Sequence, residues 1–95
     1  MTIIVDVDNT VCKTIGNDYF NSIPIEENIA KINKLFDEGN NIIYWTSRGN
    51  TSKTNWLMFT LEQLTKWGCK YNSIQVNKPS YDIWIDDKSK QIEQL

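Results

Sequence analysis

Asp6 and Asp8 flank Val7 directly after the apolar run Ile3-Ile4-Val5, so two carboxylates stand at the expected end of a buried strand. Side chains alternate faces along a strand, and the pair shares a side only if the backbone stays extended through Val7. Two anions held that close repel unless a cation lies between them or one is protonated. A hard divalent cation such as Mg2+ takes oxygen ligands of this kind. The chemistry suggested is phosphoryl transfer, with one carboxylate attacking phosphorus and the other handling a proton.

The elements that must position these groups can be read from the apolar pattern. Residues 2–5 read as a strand buried on both faces, the signature of a parallel sheet. Residues 9–23 are polar and carry the turn signal Gly16-Asn17. Pro24 is expected to open a helix, where its missing N–H does no harm. Ile25, Ile29, Ile32 and Phe36 recur at helical spacing, and Gly39 closes the helix. A second strand is expected over residues 42–45. A second helix is expected from Thr51 or Ser52, with Trp56, Thr60, Leu64 and Trp67 along one stripe and Gly68 at its end. Residues 73–76 and 83–85 read as third and fourth strands, followed by a polar tail in which Ile92 and Leu95 are the apolar anchors.

Strands alternating with helices imply right-handed βαβ units and a parallel sheet of about four strands. Ligands bind beyond the carboxyl ends of such strands. Asp6 and Asp8 follow strand one, Thr46, Ser47 and Arg48 follow strand two, Lys78 follows strand three, and Asp86 and Asp87 follow strand four. The polar residues therefore gather at one edge. Thr46 and Lys78 suit the donor role on phosphoryl oxygens, helped by backbone N–H groups near Val7 and Ser47. Arg48 is the one arginine, and it could clamp a second anionic group on a substrate or sit in a surface salt bridge.

Composition narrows the alternatives. The chain has 95 residues, enough for one domain with a modest core. A net charge of -2 gives no electrostatic footprint for nucleic acid. No apolar run reaches spanning length and no leader precedes the first strand, so a cytoplasmic protein without membrane contact is expected. With no histidine, a His base or a His-ligated zinc site is excluded. Cys12 and Cys69 are expected to be reduced thiols. Trp56, Trp67 and Trp84 are expected in the core or an interface, and Trp45 under the site.

The four segments Asp6-Val7-Asp8-Asn9-Thr10, Ile43-Tyr44-Trp45-Thr46, Lys78, and Trp84-Ile85-Asp86-Asp87 together resemble the signatures of the haloacid dehalogenase superfamily of aspartate-nucleophile phosphatases. The likeness spans residues 2–87. Residues 44–49, 78–82 and 85–87 are further similar to small capless members associated with capsule or lipopolysaccharide biosynthesis. The resemblance implies a three-layer Rossmann-like fold of strand order 4-1-2-3, a single domain over residues 1–95 and no cap domain. It implies Asp6 as the nucleophile and Asp8 as acid and then base. It assigns Mg2+ to Asp6, to the backbone carbonyl of Asp8 and to Asp87, with Asp86 as the near alternative. The function implied is a Mg2+-dependent phosphomonoesterase acting on a small phosphorylated metabolite such as a sugar phosphate.

Three other readings use the same residues. One is a phosphatase for a nucleic-acid end, which the acidic pI opposes. Another is a phospho-acceptor signalling module, in which the acceptor would stand on a middle strand. The third is a subunit whose pocket is completed by homo-oligomerisation.

Overall fold

The computed structural model describes residues 1–50 and 54–95. In chain order the elements are β1 (Thr2–Val5), β2 (Cys12–Lys13), β3 (Ile23–Pro24), α1 (Glu26–Asp37), β4 (Asn41–Trp45), α2 (Leu57–Lys66) and β5 (Ser73–Gln75). Short 3-10 turns cover Tyr19–Asn21 and Ile92–Gln94. Strands β1, β4 and β5 form a parallel sheet in that order, with Ile3 opposite Ile42 and Tyr44 opposite Ile74. Strands β2 and β3 form a small antiparallel hairpin, the flap, that brackets the polar stretch before α1.

Strand order advances in one direction from β1 to β5, so right-handed crossovers put both helices on the same face. The core bears this out, for Ile29 and Ile32 of α1 and Leu64 of α2 share one cluster with Val5, Ile42 and Tyr44 of the sheet. The opposite face carries Ile4, which is 58% exposed, beside the half-buried Ile43 and Trp45. The described residues thus build two layers rather than the expected three.

The expected fourth strand does not form either. Residues 83–85 pair with no strand, and Ile83 and Ile85 are 77% and 92% exposed. Trp84 decides this, because its ring packs edge-on against Trp45 at 6.4 Å and Tyr81 at 5.2 Å. That anchor lies on the C-terminal end of β4, one strand in from the outer edge of β1 where pairing was expected. Trp84 nevertheless stays 43% exposed, so this contact covers only part of its ring.

The other boundary shifts have local causes. Pro24 lies in β3 rather than opening α1, because the Ile25 N–H still donates to the Val11 carbonyl at 2.8 Å. The hairpin therefore holds the chain extended until Glu26, and Glu26 and Glu27 sit in the positive first turn. Gly39 ends α1 as expected, with φ at +96° and its N–H donating to the Phe36 carbonyl at 3.0 Å. Thr51 and Ser52, the expected caps of the second helix, lie outside the described residues. Helix α2 begins at Leu57, whose N–H donates to Asn55 Oδ1 at 3.0 Å. Among the described residues no helix is long and apolar enough to cross a membrane.

Candidate active site

Asp6 leaves the end of β1 with its Oδ1 accepting the N–H of Val7 at 2.8 Å. Val7 itself is fully buried, which fixes the backbone between the two aspartates. Lys78 Nζ stands 3.5 Å from Asp6 Oδ2. The lysine side chain is only 11% exposed, and its ammonium lies over the rings of Tyr81 at 5.1 Å and Trp84 at 5.8 Å. Burial against aromatic faces suits a cation that still needs a partner. It reaches this position because Asn77 takes a positive φ of 66° and turns the chain sharply after β5, a conformation asparagine tolerates.

Thr46 is bound into the same corner through its backbone. Its N–H donates to the Gln75 carbonyl at 2.9 Å, and its carbonyl accepts the N–H of Lys78 at 3.1 Å. The hydroxyl oxygen accepts the N–H of Arg48 at 3.1 Å, a local turn that closes the strand end. Thr46 is 1% exposed, so its hydroxyl is buried at this strand end. Asn50 donates its side-chain N–H to the Lys78 carbonyl and ties the β4 loop to the β5 loop. Ser47 is half-buried, and its carbonyl accepts the N–H of Asn50 at 3.1 Å. Asp6, Thr46 and Lys78 are thus brought together at the carboxyl ends of β1, β4 and β5.

Asp8 goes elsewhere. Asn9 takes a φ of 61°, and the chain folds back so that the Asn9 N–H meets the Cys12 carbonyl at 2.7 Å. The Asp8 carboxylate meets Arg48 side-on: Nη2 donates to Oδ1 at 2.7 Å and Nε to Oδ2 at 2.9 Å. Thr14 adds a hydroxyl donor to Oδ1 at 2.6 Å. Burial would raise the Asp8 carboxyl, but the Arg48 and Thr14 hydrogen bonds outweigh it and hold it below its ordinary value. The Cys12 thiol is pushed up, chiefly by burial.

Arg48 is 2% exposed. Its Nη1 donates to Gln63 Oε1 at 2.7 Å and to Thr60 Oγ1 at 3.2 Å, and its guanidinium carbon lies 4.6 Å from the centre of the Tyr19 ring. Neither expectation for Arg48 holds, for it is neither an open clamp for a substrate anion nor an exposed salt bridge. Thr60 and Gln63 escaped the sequence reading. A signal for Thr60 existed: it is the polar member of the otherwise apolar stripe on the second helix.

Asp86 and Asp87 do not join the others. Asp86 is exposed, and its Oδ1 accepts the N–H of Lys88 at 2.7 Å, a turn that ends the strand-like run. That backbone bond is the main cause holding its carboxyl below the ordinary value. Among the described residues no hydrogen bond or ion pair links Asp86 or Asp87 to Asp6, Asp8 or Lys78. Nor do three acidic, cysteine or histidine side chains converge on one point. The expected donor set for a divalent cation is therefore not assembled: Asp6 faces Lys78, the Asp8 carboxylate faces Arg48, and the later acidic pair faces solvent.

A hollow of about 450 Å3 opens beside this corner, lined by Arg48, Asn50, Trp56 and Asn77 among others. A smaller one of about 240 Å3 lies between the flap and α2, away from Asp6.

No family model matches the chain, and no curated protein does. A crystal structure of a target protein from Vibrio cholerae is similar, with 25% identity over 98% of this chain and 85% of that one, at a TM-score of 0.86. The likeness shows the fold. The described residues form a small α/β fold with a parallel sheet and two helices.

Proposed function

We propose that this chain is a phosphomonoesterase of the haloacid dehalogenase type that works through a phosphorylated Asp6 on a small phosphorylated metabolite. The observation that supports it best is the buried Lys78 ammonium 3.5 Å from the Asp6 carboxylate, at an edge where Thr46 is hydrogen-bonded to the same lysine's backbone. A lone carboxylate repels a phosphate monoester. A cation and a hydroxyl donor beside it lower that barrier and offer partners to the equatorial oxygens as charge spreads over them.

In the first step an Asp6 oxygen forms a bond to phosphorus and the phosphorus–ester bond breaks, the leaving alkoxide taking a proton from the minority of Asp8 that has gained one from solvent. In the second step water attacks the acyl phosphate, Asp8 takes a proton from the water, and inorganic phosphate leaves with Asp6 restored. General acid–base help of this kind is typically worth about 10²–10⁴ in rate. The pairing with Arg48 keeps Asp8 ionised, which suits the second step and opposes the first. The same reading would place Mg2+ on Asp6, the Asp8 carbonyl and Asp87 or Asp86, a set that the described residues do not bring together, and no step above is routed through it.

Purified protein assayed with p-nitrophenyl phosphate, with and without Mg2+, tests the reading. The expected result is turnover that Asp6→Asn abolishes. Full activity in that variant, or none in the parent, would overturn it. The engagement of Asp8 by Arg48 favours one second reading, a phospho-acceptor module whose aspartyl-phosphate is slow to hydrolyse, although Asp6 follows the edge strand β1 rather than a middle strand. A long-lived acyl phosphate on Asp6 after treatment with acetyl phosphate would support that reading instead.

A further inference from the structure

We propose that Arg48 is a positioning residue for Asp8, held in place by α2, rather than a group that binds substrate. The inference rests on the phosphatase reading and assigns that site one more working part.

The count of donors argues for it first. A guanidinium has five N–H bonds and no acceptor. Here Nε and Nη2 each donate to one Asp8 oxygen, and Nη1 donates to both Gln63 and Thr60. The last Nη2 hydrogen points to Cys12 Sγ at 3.9 Å. No N–H is left over for a phosphate or carboxylate on a ligand.

Shape argues for it next. The side chain of Arg48 has no exposed surface, and the Tyr19 ring lies 4.6 Å from its guanidinium carbon. A planar fork held at both ends transmits position well, because a bidentate pair fixes the direction of a carboxylate as well as its distance. One end grips Asp8 and the other grips a helix. Gln63 completes the frame by donating its amide N–H to the Tyr19 carbonyl at 2.8 Å. Flap, helix and the first acidic motif are thereby joined through one guanidinium, and Arg48 sets the direction from which Asp8 can reach a proton.

The test separates three roles by kinetics. Arg48→Lys keeps a cation but loses the two-point grip, and is compared with wild type and with Asp8→Asn for turnover of p-nitrophenyl phosphate with Mg2+. If Arg48 positions Asp8, kcat falls by roughly 10²-fold, the loss typical of a misplaced catalytic group. KM stays within about twofold, because ground-state binding is not touched. Adding Arg48→Lys to Asp8→Asn then costs little more, since the lost contribution was already gone. A raised KM with unchanged kcat would overturn the inference in favour of a substrate clamp. An equal loss of kcat with and without the Asp8 carboxylate would overturn it in favour of a purely structural role.

Gln63→Leu covers the case in which Arg48→Lys does not fold. Combined with Thr60→Val it removes both helix contacts of the guanidinium without touching Asp8, and a lowered kcat at constant KM is expected; an unchanged kcat overturns the inference. A wild-type protein with no turnover overturns the phosphatase reading itself, and this inference with it.

Discussion

Replacing Arg48 with methionine isolates the energetics of the pair that dominates the site. Methionine keeps much of the volume and removes the charge. Among the described residues the Asp8 carboxylate then keeps only Thr14 and a weak thiol contact as partners. Arg48 has no exposed side-chain surface and Asp8 has 23%, so solvent can compensate only the carboxylate end. Thr60 and Gln63 also lose their donor. Breaking a buried pair by removing one partner costs about 3–5 kcal/mol. That is a large part of the roughly 5–15 kcal/mol expected for a whole domain. For a chain of this size each kcal/mol moves the melting midpoint by roughly 4–8 °C, so a fall of more than about 12 °C is expected.

The assay is urea unfolding of wild type, Arg48→Met, Asp8→Asn and the double variant, followed by near-ultraviolet circular dichroism. The double variant should recover part of the loss, because the neutral amide has no charge to strand. The pH dependence carries a definite sign. The folded Asp8 carboxyl lies below its ordinary value of 3.8, so its stabilisation is complete above that value and is lost as pH falls through the depressed one. The gap between wild type and Arg48→Met should therefore narrow on acidification below about 4, where the unfolded chain begins to bind a proton that folded wild type takes up only at lower pH. A loss under about 1 kcal/mol, or a gap independent of pH, would mean that the pair behaves like an exposed one and would refute the reasoning.

Other expectations follow from burial and backbone geometry. Cys12 and Cys69 are buried, and burial pushes the Cys69 thiol up to about 11, so both should react with Ellman's reagent far more slowly in native protein than in urea. Equal rates in both states would contradict the packing. Ile83→Asp or Ile85→Asp should change stability by less than about 0.5 kcal/mol, because both side chains face solvent; a large loss in denaturant titration would restore a paired fourth strand. Gly49→Ala should cost about 1–3 kcal/mol, because Gly49 has a φ of +91° and a new Cβ would collide with the Thr54 carbonyl; an unchanged urea midpoint would argue against that loop geometry.

What the sequence determined by itself is the part that local pattern and alternation control. The period of Ile29, Ile32 and Phe36 defines α1, the apolar runs define β1 and β4, and the glycines at 39 and 68 end the helices at positive φ. The parallel arrangement followed from the alternation of those elements, and it places Asp6, Thr46 and Lys78 at one edge. Tertiary structure decided what each charged group faces. Arg48 and Asp8 are 40 residues apart, and the fork that joins them is set by Thr60 and Gln63 on a helix whose start could not be read from its caps. Trp84 was legible as apolar, but whether it would enter a strand or lie on Trp45 depended on which surface stood free nearby. Periodicity records how much burial a residue needs. It does not record which partner supplies it, because that depends on the packing of distant segments.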